Sequence, residues 1–467
     1  MYYGNDCTGC PGFAGATTVY VNAGKGTDNV CCGRGQTIGF GGPCATITQA
    51  MANVQGSGWT INFTGDLNGN AASSETYPIP LSNGVTLAGQ SASTSCIPGV
   101  SGVSVISVDT DTSVVLARNI TVGTRCDGAN MGASIGVLVA NGASFDPAYP
   151  GFAVSGTNVG IELNGGFLAS EGYDIVFAIT NVAQDGIHCE SVSEPSAYSG
   201  TQSPNESAVI ASSIAGAGRY GLYVGNGCSL SLSVASPLSV GPATCSTPTD
   251  NIGVYMEGNG TLSVDTYSSD SGSMTISCMN GDAIVLADNA SLPGSPTLTL
   301  SGAKMTTLAV TRNGGAGLRV LAGSATVSGA TIANNHWGVI QQTGATGTTG
   351  LVDLSNGGTS PNSIYCNSSL APGAYCTAGS CPYGANVWND SAATLNASNN
   401  YWADSPPSKC TWNNALASFK CTGSASGDTT PPDGVDVLVT PSLDGGTVGA
   451  VMTTGSLLMT TTPTCAY

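Results

Sequence analysis

From residue 135 onward the chain repeats one short phrase: a glycine, then apolar–any–apolar, then a turn rich in Gly or Asn. It reads IGVLVANG (135–142), VGIELNGG (159–166), DGIHCE (185–190), YGLYVGNG (220–227) and IGVYMEGNG (252–260). It continues as DAIVLADN (282–289), AGLRVLAG (316–323) and WGVIQQTG (337–344). Counted from the Gly before each triplet, or from Ala283 in its place, the spacings are 24, 26, 35, 32, 30, 34 and 21 residues. Alternation over about five positions predicts a short strand with one buried face.

Between the phrases lie further alternating runs: LSLSVAS (230–236), TLSVDTY (261–267), TLTLSG (297–302) and ATVSGATIANN (325–335). Gly, Asn, Asp and Pro punctuate them, which is turn chemistry. No helical pattern intervenes, so a βαβ architecture is excluded. A propeller blade needs about 40–50 residues. The shorter, uneven period here fits coils that stack while loops of variable length protrude. The pattern predicts an all-β solenoid.

One stretch departs from this rule. GFGGPCATITQAMANV (39–54) places Cys44, Ile47, Met51 and Val54 on a helical stripe, with Pro43 where a first turn tolerates it. It predicts a helix over the open end of the first coil, with Ile47, Met51 and Val54 facing the core. Cys44 shares the stripe, so a bond to Cys31 or Cys32 would staple the preceding loop to this cap. Three regions follow: a Cys-rich N-terminal segment, first strand and helix (1–60), coils (61–405), and a C-terminal cap, linker and tail (406–467). A solenoid needs both open ends covered, because a bare end presents unpaired strand edges.

Composition narrows the reading further. The 467 residues include 66 Gly, 28 Asp plus Glu and only 10 Lys plus Arg, for a net charge of −18. Nucleic acid is excluded as a partner, since binding it requires a basic face. The acidic balance gives solubility, with weak Ca²⁺ sites as the alternative reading. No apolar run approaches 18 residues, so no membrane span is expected. Residues 1–15 lack a basic n-region and an apolar h-region, so no signal peptide is legible there.

Seventeen Cys point to an oxidising compartment. They gather toward the ends: Cys7, Cys10, Cys31, Cys32 and Cys44, then Cys366, Cys376, Cys381, Cys410 and Cys421. Thiolate metal ligation is the competing use, through Cys7 and Cys10 or Cys31 and Cys32. No second regular CxxC accompanies the first, so disulfides are the expectation.

Three segments together resemble the right-handed parallel β-helix family, the pectin-lyase-like fold. TTVYVNAGKGTDN (17–29) with PCATITQAMANV (43–54) is similar to an N-terminal domain of secreted bacterial β-helix proteins, with Pro-x-x-Thr-Ile-x-x-Ala on a capping helix. ATIANNHWGVIQ (330–341) and NASNNYWADSPP (396–407) resemble late coils, where Asn-Asn closes a turn. The resemblance covers residues 17–405. It implies a fold shared by lyases, glycosidases, epimerases, phage tailspikes, adhesins and passive surface proteins, so the fold does not decide the function.

The family's glycosidase pattern, Asp-Asp with Gly-His-Gly, is absent. The nearest acidic pairs are Asp109 and Asp111, Glu171 and Asp174, and Asp433 and Asp436, which read as solvated turns or edges. Lyase chemistry would need acids beside a basic residue. Arg118 and Arg125 bracket NITVGT (119–124) and Arg312 and Arg319 bracket NGGAGL (313–318), but ten basic residues spread over the chain make no dense cleft. The two histidines, His188 and His336, read as a surface or groove residue and as a turn residue. His188 and Cys189 point to opposite faces of one strand. Trp337, Trp388, Trp402 and Trp412 crowd the last third, with Tyr365, Tyr383 and Tyr401. They serve as plugs for the last coils or as a platform for pyranose rings.

The expected function is a non-enzymatic exported or cell-surface protein, structural or adhesive, with self-association or a surface glycan as partner. A polysaccharide lyase or glycoside hydrolase with an unrecognised site is the alternative.

Overall fold

A computed structural model of the chain describes residues 17–37, 41–54, 56–67, 75–82, 84–109, 114–140, 142–148, 151–168, 176–190, 196–197, 212–234, 238–242, 245, 250–266, 274–301, 308–311, 315–355, 360–365, 367, 385–402, 409–413, 418–422, 435–439, 450–453 and 457–458. The backbone is nearly all β, with one α-helix among the described residues. Two compact units divide it, Met1–Gly218 and Arg219–Tyr467.

The first unit winds through three parallel ladders. One runs Thr18–Asn22, Thr60–Asp66, Thr86–Gly89, Val115–Arg118, Ser144–Pro147 and Phe167–Leu168. A second runs Ser95–Pro98, Ile120–Gly123, Phe152–Ser155, Phe177–Val182 and Ser212–Ala217. The third runs Ile79–Leu81, Ile106–Asp109, Ile135–Ala140, Val159–Asn164 and Asp185–Glu190. Inward positions stack coil on coil: Ile97, Val122, Val154, Ile179 and Ile214 form one fully buried file. Burying each such side chain contributes about 1.5–3 kcal/mol. The file, repeated on each face, is the core.

The second unit has the same plan. Its first ladder runs Tyr220–Val224, Ile252–Met256, Ile284–Leu286, Ala316–Val320, Trp337–Gln342, Ala385–Asp390 and Val435–Val439. The second comprises Cys228–Val234, Thr261–Thr266, Thr297–Ser301, Ser324–Ser328, Leu351–Asp353, Leu395–Asn396 and Val451–Met452. The third is Leu238–Val240, Met274–Ser277, Leu308–Thr311, Ala330–Ala333, Ser363–Tyr365, Tyr401–Trp402 and Leu457–Leu458. Parallel pairing therefore continues past residue 405 into a further coil. An antiparallel hairpin, Lys409–Asn413 with Ser418–Thr422, joins the strand Val435–Val439. The all-β parallel solenoid predicted from the repeat is the observed fold.

The recurring glycine has a steric cause. A Cβ on Gly136 would strike the carbonyl of Gly160, one on Gly160 that of Gly186, and one on Gly221 that of Gly253. Gly253, Gly317 and Gly338 meet Ala283, Gly338 and Asn386 in the same way. Each sits at an inward corner where the next coil's backbone passes. Ala283, the one exception in the phrase, is fully buried.

The helix α1 spans Ile47–Asn53 and packs on the strands Thr18–Asn22, Thr60–Asp66 and Ile79–Leu81. Its N-cap is Thr46, whose hydroxyl accepts from the Gln49 amide at 3.1 Å. Pro43 lies outside the helix, ahead of the cap. The buried stripe is Ile47, Ala50 and Asn53, not Ile47, Met51 and Val54. The stripe shifts because Asn53 is drawn inward, its amide donating to the Cys32 carbonyl at 3.1 Å. Cys44 bonds Cys32, so the staple forms, with Cys32 as the partner.

Two further disulfides, Cys96–Cys126 and Cys245–Cys278, lie within the coil region. Cys31, Cys189 and Cys228 are disulfide-bonded as well. The expected concentration at the ends is thus only part of the framework, because successive coils bring cysteines about one turn apart into reach. Cys410 and Cys421 face each other in the hairpin register. Cys7, Cys10, Cys366, Cys376 and Cys381 lie outside the described residues. The bridges place the folded chain in an oxidising environment. No described helix is long and apolar enough to cross a membrane.

Late coils bury amides beside their apolar files. Asn334 and Asn399 adopt left-handed φ of 58° and 61°, which turns the following Asn335 and Asn400 inward. Asn335 Nδ2 donates to Asn367 Oδ1 and Asn367 Nδ2 to Asn386 Oδ1, both at 2.9 Å. Asn362 pairs with Asn400 in the same manner at 2.9 Å. The Asn-Asn turns implied by the late-coil resemblance are present, and they end in buried amide ladders.

Candidate functional site

Strand alternation sends every second side chain of a ladder outward. In the second unit, one rank of the first ladder reads Tyr223, Tyr255, Val285, Arg319, Ile340 and Trp388 on successive strands; Tyr223, Val285 and Ile340 are buried and the other three half-buried. At one end of this rank the rings stack. Tyr220 lies 4.4 Å from Tyr255 with planes 9° apart, and Tyr223 lies 5.9 Å from Tyr220. The Arg219 guanidinium covers Tyr220 at 4.9 Å, a cation–π contact that fixes the ring plane.

A buried carboxylate organises the phenols. Glu257 accepts from the Tyr223 hydroxyl at 2.6 Å, from Asn289 Nδ2 at 2.9 Å and from the Tyr255 hydroxyl at 3.3 Å. Burial, then the Glu257 charge, pushes the Tyr255 phenol well above its ordinary range, so it remains a proton donor. The result is a stack of tyrosine rings with fixed polar edges, in which Tyr223 is buried and Tyr220 and Tyr255 are half-buried.

Farther along, Arg319 is held by Asp282 (Nε to Oδ2, 2.7 Å) and donates to Gln342 Oε1 at 3.0 Å. Trp337 and Trp388 meet at 4.8 Å, and His336 sets its edge against Trp337. Burial and the Arg319 charge lower the His336 pKa, keeping the ring neutral. Trp402 is fully buried in the file that contains Ile332 and Ile364, with Leu458 as its partner on the next strand. That removes it from a surface platform and makes it a core plug. Trp337 is 7% exposed and Trp388 half-buried, so Trp388 presents the more open ring. Trp412 lies on the hairpin strand Lys409–Asn413, its side chain outside the described residues, as is Tyr383.

The first unit carries a different cluster on its third ladder. Glu162 pairs with His188, and Asn164 with Glu190, so the three ionisable groups share the outer face. Asp185 is fully buried and accepts from His188 Nδ1 at 2.7 Å. This turns Nε2 toward Glu190 Oε2 at 3.5 Å. Burial lowers the imidazole pKa, but the Asp185 hydrogen bond and the charges of Asp185, Glu162 and Glu190 outweigh it, and the net shift is upward. Burial raises the Glu162 pKa, His188 opposes this, and Glu190 and Asp185 reinforce it. Among the described residues Glu162 receives no hydrogen bond.

Of the basic residues Arg118, Arg125, Arg312 and Arg319, Arg125 and Arg319 are engaged by acids. Arg125 faces Asp66 at 3.5 Å and Asp127 at 3.7 Å beside the Cys96–Cys126 bridge. Arg118 stands on its strand, half-exposed, and Arg312 lies outside the described residues. Asp109 ends a strand; Asp111, Glu171, Asp174 and Asp433 lie outside the described residues, and the Asp436 side chain does too. One described grouping has metal-type ligands, Asp28 with Cys32 and Cys44. Both sulfurs are consumed in the disulfide, and Asp28 accepts from the Ala45 and Thr46 amides. It is a loop anchor.

Sequence reasoning missed Glu162, Asp185 and Glu190 as partners of His188, and missed the tyrosine stack. The signal was present in the repeat: aligning VGIELN with DGIHCE on their glycines puts Glu162 opposite His188. No family model matches the chain, and neither the curated proteins nor the solved structures contain a match.

Proposed function

We propose that this is an extracellular β-helix protein of the pectin-lyase-like kind that binds a neutral glycan along the outer face of its second unit. The observation that carries the reading is the Tyr220–Tyr255 stack with Tyr223 and its Glu257–Asn289 edge. Flat rings suit the apolar faces of pyranoses, while fixed phenols and amides suit their hydroxyls. Charge selects against polyanions: a chain of net charge −18 repels polyuronates at long range. The disulfides support export, and the rigid ladders support a presenting or adhesive role.

Affinity electrophoresis in soluble β-glucan, xylan, mannan and polygalacturonate tests this. Retardation is expected in a neutral polymer and not in polygalacturonate. Tyr255→Ala weakens it at least tenfold, the effect of losing about 1.4 kcal/mol of stacking and hydrogen bonding. Absence of retardation, or retardation untouched by Tyr255→Ala, sinks the reading.

A further inference from the structure

We propose that the outward face of the second ladder in the second unit binds the surface of ice. This face is separate from the tyrosine stack, which stands on the first ladder, and it does not depend on the glycan reading.

The face is built by register. The successive strands Cys228–Val234, Thr261–Thr266, Thr297–Ser301 and Ser324–Ser328 pair in parallel without a slip, although the loops between them differ in length. On the inner side Leu230, Leu262, Leu298 and Ala325 form a buried file that holds the strands in place. The outer side carries two parallel ranks. Ser229, Thr261, Thr297 and Ser324 make one, and Ser231, Ser263, Thr299 and Thr326 make the other. Every one of these positions bears a hydroxyl on Cβ, and each is exposed or half-exposed.

These hydroxyls are not spent on the fold. Among the described residues only that of Thr297 bonds the protein, reaching the Ser295 carbonyl at 3.4 Å. The rest are left to water. Leu351 prolongs the first rank on the next strand, beside Ser324, and keeps 51% exposure. Its methyls join those of Thr261, Thr297, Thr299 and Thr326, so hydroxyls alternate with small apolar surface. Solubility alone would accept any polar residue here, including the acids in which this chain is rich, yet both ranks of hydroxyls are free of charge. The first ladder differs: its corresponding rank mixes Tyr, Val, Arg, Ile and Trp, and side chains of such unequal size make no plane.

Spacing selects the occupant. Strand pairing sets neighbouring hydroxyls about 4.8 Å apart within a rank, and a two-residue rise sets the ranks about 6.6 Å apart. The prism faces of hexagonal ice repeat their oxygens on a rectangular net of similar sides, the short one slightly below the strand spacing and the long one somewhat above the two-residue rise. Each hydroxyl donates one hydrogen bond and accepts up to two, so waters held on this net fall near lattice positions over several strands at once. Threonine is stiff at χ1, which lowers the entropy lost when the net is fixed. Apolar methyls between the hydroxyls favour ordered water over water bound at random sites. Liquid water makes the same bonds singly; the crystal makes them together.

The test uses the purified full chain. An ice hemisphere is grown slowly in its solution, the frozen and liquid fractions are assayed for protein, and seed crystals are watched in the gap between melting and freezing. Enrichment in the ice and faceted crystals are expected, whereas a growing crystal expels an ordinary solute. Thr299→Tyr lifts a ring out of the plane at an exposed position that suits aromatic residues; it is expected to abolish enrichment and faceting with the thermal midpoint unchanged. Ser263→Thr adds a methyl to the second rank and is expected to widen the freezing gap, a gain that misfolding cannot mimic. Expulsion of the wild-type chain from ice, activity that survives Thr299→Tyr, or no gain from Ser263→Thr overturns the proposal.

Discussion

The Glu75 carboxylate caps a helix that starts 28 residues earlier, accepting the Ile47 amide through Oε2 at 2.7 Å. Oε1 accepts the Thr48 amide at 3.1 Å, while Thr46 serves Gln49. A seven-residue helix is too short to persist without such help. Glu75→Ala is expected to destabilise the first unit by about 1–2 kcal/mol. Hydrogen exchange of the residue 47–54 amides checks this, and protection equal to wild type would show that the cap is idle.

The glycine corners predict an asymmetric pair of substitutions. Gly253→Ala forces a Cβ into the Ala283 carbonyl and the Ile276 side chain, so it costs about 1–3 kcal/mol through overpacking. Ala283→Gly, at the equivalent corner of the next coil, costs less than about 1 kcal/mol. Urea midpoints of the two variants compare directly.

Asn367 is the middle rung of a buried ladder, bonded to Asn335, Asn386 and the Ile332 carbonyl. Asn367→Leu leaves those groups unpaired in the core, and a loss of at least about 3 kcal/mol is expected. A change below 1 kcal/mol, read by chemical denaturation, would mean that neighbouring groups re-pair.

Stability of the first unit falls as pH rises through the His188 titration. The folded pKa lies above the ordinary 6.5, so the native chain holds a proton that the unfolded chain releases. The stabilisation is fully present below about pH 6.5 and is lost as pH climbs through the raised value. The raised Glu162 pKa acts with the same sign at lower pH. Thermal midpoints at pH 5 and pH 9 are expected to differ more in wild type than in His188→Gln.

What could be read from the chain divides along a physical line. Local periodicity reports which side of a strand or helix is buried, so the coils and the capping helix were visible; the Asn-Asn turns were implied by the resemblance to late β-helix coils. Which residues meet across coils depends on loop lengths, which make the phrase spacing vary from 21 to 35 residues. Glu162 and His188 are 26 residues apart and become neighbours only when the register is fixed. Asp185 stands in a turn-like position before a glycine, yet it is fully buried and accepts from His188. Met51 and Val54 had the right spacing for the helix stripe. Asn53 displaced them because a buried amide satisfied the Cys32 carbonyl, an advantage that hydrophobic spacing does not register.

The two bridges within the coils also bear on tension. Cys96–Cys126 closes 30 residues and Cys245–Cys278 closes 33. A pulled solenoid sheds its coils one after another, each paying out its full contour length. With these bonds oxidised, each locked loop withholds roughly 100 Å of extension, at about 3.3 Å per residue. Reduction would return that slack, so the redox state of the surroundings sets how far the chain stretches before it runs taut.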